Sequence, residues 1–247
     1  MKLSVIIPFY CELELIGRAI ESVINNTEDI DGLEILLCND GHLSDSIIKR
    51  RISSAGLAVT RVVKNIGPKG PGGARNTGIE FSTGDIIAFL DADDYWLDGK
   101  LSAQIALIRN GSNFVVTAYS FEDGGAVIQP PKLIVGPMDI FLKRGIGTST
   151  VLISRSLLGT HRFKDLRFAQ DIDFWFSLAK SKTFKYVSIE HSYVVYSNGG
   201  STKNKWEQFQ YLNKVLQLNF VPPILRIRIL NGYFMRGIFN HYIRRYF

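Results

Sequence analysis

The sequence predicts an α/β protein: a mostly parallel central sheet covered on both faces by helices, with a helical extension at the C-terminus. Three observations carry the prediction. Short apolar runs rich in β-branched residues alternate with amphipathic stretches. The alternation recurs at about thirty residues, the length of a strand–helix–strand unit. Hydrophobic residues make up 46% of the 247 positions and charged residues 21%, enough for one large domain with a sizeable core.

The elements follow in order. "LSVIIPF" is a continuous apolar run and predicts a first strand buried on both faces. Leu15, Ile16, Ala19, Ile20, Val23 and Ile24 recur at helical spacing. "LEILLC" predicts the second strand. Ser44 is placed to cap a helix carrying Ile47, Ile48 and Ile52, with Gly56 as its stop. "LAVTRVV" predicts the third strand, "GARNTGIEF" a short helix and "DIIAFL" the fourth strand. Leu97 to Arg109 reads as a helix, "NFVVTAYSF" as a strand and "EDGG" as a turn. "PMDIFLKRG" reads as a helix, "TSTVLIS" as a strand and "QDIDFWFSLAKS" as a helix opening with acids. "FKYVSI" and "HSYVVYS" read as two strands joined by a tight connection. "NGGSTKN" is a polar, Gly-rich loop. Two tail helices follow, near 202–219 and 224–245, separated by "VPP".

Composition excludes several classes. Cys11 and Cys38 are too few for a disulfide framework, and the four histidines show no zinc-ligand spacing. "MKLSVIIPFYCELE" is a poor signal peptide, broken by Pro8 and followed by acid. No apolar run approaches the roughly 20 residues of a membrane span. A cytoplasmic protein is expected. The net charge of +6 belongs to the tail: Lys214, Arg226, Arg228, Arg236, Arg244 and Arg245 lie beyond the last acid, Glu207. The remainder balances, which argues against a nucleic-acid groove.

In parallel sheets ligands bind off the carboxyl ends of the strands. "PFY", "NDG" and "DADD" fall at those ends. Asp91 and Asp93 alternate by two at a strand end, so their side chains share a face. Two ionised carboxylates held together raise each other's pKa unless a cation lies between them. Hard oxygen ligands with positions left for phosphate suit Mg2+ or Mn2+; Asp94 reads as a capping or supporting acid. "GPKGPGG" lacks the Gly-Lys-Ser/Thr ending of a P-loop. Arg75 and Asn76 then open a helix whose free N–H groups favour an anion. Arg75 serves an anion or a structural ion pair, and Asp40 a ligand or the Asp-Gly turn. Asp171 and Asp173 open a helix, as dipole-favoured acids or with one as a general base.

"SVIIPFY", "NDG", "GGARNTG", "FLDADD" and "QDIDFW" occur in the order and spacing of the family 2 glycosyltransferases of the GT-A fold, and the chain resembles that family over residues 1–200. The resemblance implies transfer of a sugar from a nucleotide diphosphate donor, with inversion, to a hydroxyl of a glycan or lipid-linked acceptor in bacterial surface polysaccharide or lipopolysaccharide synthesis. It implies that Pro8, Phe9, Tyr10 and Asp40 hold the base, usually uracil, and that Arg75 lies near the diphosphate. Asp91, Ala92 and Asp93 match the family's Asp-x-Asp motif, with Asp93 on the metal and Asp91 at the ribose and metal side. Asp171 matches the general base. The cofactor implied is Mn2+ or Mg2+, and the donor favoured is a UDP-sugar.

The expected organisation is a GT-A catalytic domain over 1–200, with its nucleotide-binding half at 1–95 and its acceptor half at 96–200, followed by a helical tail over 201–247. The chain departs from the family pattern in four places. Asn39 stands where an Asp is usual, Gln170 where a Glu precedes the base, and Cys11 where an Asn is common. "YSNGGSTKN" lacks the Arg and His often found in the closing loop. Residues 224–247 carry apolar and aromatic residues with five arginines and no acid. They are read either as a helix packed on the domain or as a contact with an anionic membrane, peripheral on the inner face of the cytoplasmic membrane. A sugar-phosphate nucleotidyltransferase would need a Gly-rich loop after the first strand, where "FYCELE" stands. A non-catalytic nucleotide-sugar or glycan-binding protein would lack the base or the Asp pair.

Overall fold

The computed structural model describes residues 1–27, 30–143, 145–197 and 205–246, the side chains of 205 and 236–246 excepted. The loop expected at 198–204 therefore lies outside the described residues.

β1 (Lys2–Phe9) pairs parallel with β2 (Gly32–Asn39) on one side and β4 (Ile86–Phe89) on the other. β3 (Thr60–Lys64) pairs parallel outside β2. Beyond β4 lie β7 (Leu152–Ser154), β6 (Phe114–Phe121), β8 (Tyr186–Tyr196) and β5 (Tyr95–Trp96). The order is β3-β2-β1-β4-β7-β6-β8-β5. β7 runs antiparallel to β4 and β6, and β5 antiparallel to β8; β6 and β8 are parallel.

Both faces of β1 are covered, which is why its sequence is a continuous apolar run. Leu3, Val5, Ile7 and Phe9 face one way, onto Ile16, Ala19, Ile20 and Val23 of α1 (Ile16–Ile24). Ile6 faces the other way, with Leu36, Ala74 and Phe89. Each such fully buried aliphatic side chain contributes on the order of 1.5–3 kcal/mol. α4 (Pro71–Phe81) lies very close to the sheet at Gly78, where an added Cβ would stand 2.3 Å from Ile6 Cγ2. That approach sets where the helix starts relative to the strand ends.

The structure corrects several element boundaries. Gly56 does not stop a helix. α2 (Asp45–Lys49) is short, and Gly56 lies buried inside α3 (Ser54–Val59), capped by the Ser53 hydroxyl. Leu57 to Val59 are thus helical and the third strand begins only at Thr60. Helix α5 (Lys100–Arg109) begins three residues later than expected, because Gly99 takes a left-handed φ of 83° and Tyr95 and Trp96 pair with β8. Thr148–Thr150 is a 3-10 turn ahead of β7. The two strands expected at 184–197 are one strand, β8, since both halves run parallel to β6. Between Ile189, opposite Thr117, and Ser192, opposite Ala118, the register shifts, and the exposed Glu190 and His191 form the irregularity.

α6 (Met138–Leu142) and α7 (Arg155–Leu158) are short. α8 (Gln170–Ala179) carries the buried Phe174 and Trp175. α9 (Lys205–Leu218) and α10 (Pro223–Tyr246) close the chain. Leu212, Val215 and Leu216 of α9, with Val221 and Ile229, belong to the same apolar cluster as Phe89 and Trp175. This part of the tail packs on the domain.

Candidate active site

The site grows from the carboxyl ends of β1, β2, β3 and β4, which the parallel register brings to one edge. Glu12 shapes the turn after β1 by accepting from the backbone N–H groups of Tyr10 and Cys11, each at 2.9 Å. Tyr10 is exposed, Pro8 half-buried, and Phe9 buried in the core, so that at the edge Phe9 presents its carbonyl, which accepts from the Asp40 N–H at 2.7 Å. Both Asp40 oxygens have partners: Oδ1 accepts from Asn65 Nδ2 at 2.6 Å and Oδ2 from the Gly70 N–H at 2.8 Å. Asp40 thus ties the end of β2 to the Gly-rich loop before α4.

Asn39 explains itself in place. It is buried, its Oδ1 accepts from the Gly41 N–H at 3.0 Å, and its Nδ2 donates to the Leu43 carbonyl at 2.9 Å. A carboxylate could make only the first of these bonds. Both cysteines are free; Cys38 is a core thiol whose pKa burial pushes up to about 12.

The strand β4 delivers the acids. Arg75, 4% exposed, pairs through Nη2 with Asp91 Oδ1 at 2.5 Å and lies over the Phe163 ring at 5.5 Å. The ion-pair reading of Arg75 is therefore realised, with Asp91 as its partner. Ala92 is buried. Asp93 accepts from Ser197 Oγ at 2.6 Å, and its backbone carbonyl accepts from Arg18 Nη2 at 3.1 Å. Burial raises the Asp93 carboxyl above its ordinary value, with Asp91 and Glu12 adding to the effect against the Ser197 hydrogen bond. Asp94 is buried, accepting from Ser149 Oγ at 2.6 Å and from the Ser197 N–H at 3.2 Å. Burial first, then Asp91, pushes its pKa up to about 8.

Asp171 reaches the same place from α8. The residue before the helix, Ala169, has a left-handed φ of 56°, a conformation costing about 1–2 kcal/mol for a residue with a Cβ. It turns the chain so that the helix opens on Gln170 and Asp171. Asp171 is half-buried. Burial raises its carboxyl above the ordinary value, opposed by the backbone N–H groups at the helix start and by Arg75. Arg75, which lowers it, and Asp91, which raises it further, both act on Asp171, which therefore lies in the same field as the acids after β4. Asp173, in contrast, is 1% exposed and its Oδ1 accepts from Lys164 Nζ at 2.9 Å and Asn219 Nδ2 at 2.7 Å. It is a structural acid. Gln170 is buried against Gly72, where an added Cβ would stand 2.1 Å from its Oε1.

Sequence reasoning missed the groups that hold the acids. Ser149 and Ser197 lie 55 and 104 positions from the carboxylates they serve, and no local spacing marks them. It also missed Tyr119 and Tyr196, whose rings meet at 4.5 Å. Burial, with Asp171 and Asp94 nearby, pushes the Tyr119 phenol up to about 12. Tyr196 accepts from the Ser149 N–H at 3.1 Å.

Among the described residues no group of three or more His, Cys, Asp and Glu side chains forms a ready-made metal cage. The donor chemistry fits a hard cation that takes one or two carboxylates and draws its other ligands from phosphate and water. Asp91, Asp93 and Asp94 stand close together here, Arg75 pairs with Asp91, and burial first, with Asp91 adding to it, raises the Asp93 carboxyl, an arrangement a bound cation would relieve.

A family model described as "Glycosyl transferase family 2" matches residues 4–168. The UDP-Glc:alpha-D-GlcNAc-diphosphoundecaprenol beta-1,3-glucosyltransferase WfgD of Escherichia coli is 29% identical over 248 residues, covering 96% of this chain and 94% of that protein. The crystal structure of S. aureus TarS 1-349 in complex with UDP-GlcNAc superposes with a TM-score of 0.68 at 17% identity, over 95% of this chain and 72% of that one. The mannosyltransferase PcManGT from Pyrobaculum calidifontis, in complex with GDP-Man and Mn2+, gives a TM-score of 0.64 at 18% identity, over 93% and 68%. These two structural likenesses are of fold.

Proposed function

We propose that this chain, which belongs to glycosyl transferase family 2, is an inverting transferase that moves a hexose from a UDP-sugar to a hydroxyl of a lipid-linked glycan in bacterial surface polysaccharide synthesis. It is a glycosyltransferase with the GT-A fold. UDP-glucose is the first donor to test, because the WfgD relative is named for it and for a diphosphoundecaprenol-linked acceptor. The observation that carries the proposal is the convergence of Asp91, Asp93, Arg75 and Asp171 from β4, α4 and α8 on one edge of the sheet.

In this reading Pro8 to Tyr10, Asp40 and Ala92 line the nucleoside side, with residues 1–95 as the donor half and 96–200 as the acceptor half. Asp93, with Asp91, would hold Mn2+ or Mg2+, which when bound supplies positive charge to the leaving diphosphate. Arg75 adds a fixed cation beside Asp91. Asp171 takes the proton of the acceptor hydroxyl as its oxygen forms the bond to the anomeric carbon. The bond from that carbon to the phosphate oxygen breaks with its electron pair leaving on UDP. A single base on the face opposite the leaving group gives inversion. Residues 201–247 form the tail, with 224–247 as a contact to the inner face of the cytoplasmic membrane. The test is UDP release from a panel of UDP-sugars with an undecaprenyl-diphosphate-linked acceptor. Turnover that needs Mn2+ or Mg2+ and stops with chelator is expected; full turnover in chelator overturns the metal assignment.

A further inference from the structure

We propose that the turn between α9 and α10, led by Phe220, is a wedge that inserts into an anionic lipid surface and holds it at a set distance from Asp171; this rests on the lipid-linked acceptor reading above and places the contact on a specific turn. The turn ends α9 in a Schellman arrangement. The Val221 N–H bonds the Leu216 carbonyl at 3.0 Å, and the Phe220 N–H bonds the Gln217 carbonyl at 3.0 Å. Leu216 and Val221 complete it with a buried apolar contact in the core cluster. The residue that must turn left-handed in this motif is usually glycine. Here it is Phe220, at φ 55°, with its ring 93% exposed.

Nothing in the fold calls for that choice. Glycine would meet the backbone requirement without strain, and at that exposure Phe220 is not packed into the described domain. An aromatic held outward on a strained, well-bonded turn is arranged to enter an apolar phase outside the protein. Its neighbours fit such a phase. Ile224 is 85% exposed and Ile227 59%, on the outer face of the first turns of α10. Lys214 of α9 and Arg228 of α10 are exposed, Arg226 is half-exposed, and no acid follows Glu207 in the chain. Exposed apolar residues on a segment whose only charges are cationic complement the negative headgroups of a bilayer.

The same turn is tied to the catalytic helix. Asn219, next to Phe220, donates to the buried Asp173 of α8, two residues beyond Asp171. The insertion point and the base are therefore fixed to each other through one hydrogen bond, as an enzyme acting on a membrane-borne hydroxyl requires.

The experiment is flotation of the full chain with phosphatidylcholine vesicles, with and without 30–40% or so of phosphatidylglycerol, comparing wild type, Phe220→Gly, Ile224→Ser and the charge variant Arg226→Gln/Arg228→Gln. Wild type is expected to float with the anionic vesicles. Phe220→Gly is expected to lose about tenfold or more in partitioning with no loss of thermal stability, and to release UDP from donor alone at the wild-type rate. Wild-type flotation by Phe220→Gly overturns the wedge; if the charge variant then loses binding, the broader tail contact survives without it. Failure of wild type to float, or conversion of a wild-type dimer to monomer by Phe220→Gly, assigns the surface to no lipid and overturns the proposal, while the nucleotide chemistry is read separately from UDP release.

Discussion

Ser197 donates a 2.6 Å hydrogen bond to Asp93, joining the acid at the end of β4 to the residue that follows β8. The hydroxyl orients the carboxylate proposed to hold the metal. Groups of this kind, one bond removed from a ligand, typically carry 10–100-fold in metal affinity. Ser197→Ala is therefore expected to weaken Mn2+ binding in the presence of UDP about tenfold, and Asp93→Ala to abolish it. Calorimetric titration reads both. An unchanged Mn2+ affinity in Ser197→Ala would show that the bond does not orient Asp93 for the metal.

Asp171→Asn is expected to lower glycosyl transfer roughly 10²–10⁴-fold while UDP affinity stays at the wild-type level. Burial raises the Asp171 carboxyl, and the base works only when ionised. The activity of wild type should therefore fall as pH drops through a value above the ordinary carboxylate range, and this acid limb should vanish in the residual activity of the variant. Persistence of the limb would assign it to another group.

Asn39→Asp restores the residue usual in the family but removes the donor to the Leu43 carbonyl and buries a charge beside it. A loss of about 1–3 kcal/mol is expected, read from the urea midpoint at neutral pH. If the midpoint does not move, the amide is not what holds the turn.

Lys100 is completely buried, its Nζ donating to Gln104 Oε1 at 2.8 Å and standing 3.8 Å from the centre of the Trp96 ring. Burial pushes its pKa well down. The unfolded chain then binds one proton more than the folded one between the lowered value and about 10.4. Stability from this group is lost at low pH and returns as pH rises through that window. Lys100→Met should flatten this rise; the difference in melting temperature between wild type and variant, followed from about pH 6 to about pH 10, is the measurement. Parallel curves would show that Lys100 is not the group responsible.

The fold was legible wherever a signal is local. The run at Val5–Ile7 alternates between two cores, so it reads as one apolar string, and α1 and α8 announce themselves by period and opening acids. Legibility failed where a continuous apolar run or a polar pair hid the element boundary. Leu57 and Ala58 are good helix formers that run on into the apolar third strand, and the Ser53 cap starts a helix through them, while β8 carries its irregularity through residues that look like a hairpin turn.

By itself the sequence determined the alternation of strands and helices, the presence of two carboxylates two apart at a strand end, and the order of motifs that marks the family. These depend on neighbours within a few positions, where side-chain direction follows from backbone period. Only the tertiary structure decided what each acid faces: Arg75 on Asp91, Ser197 on Asp93, Ser149 on Asp94, and Lys164 with Asn219 on Asp173. A carboxylate's protonation and role are set by the charges and donors within hydrogen-bonding reach, and here most of those arrive from segments that only the packing of the sheet and its helices brings together.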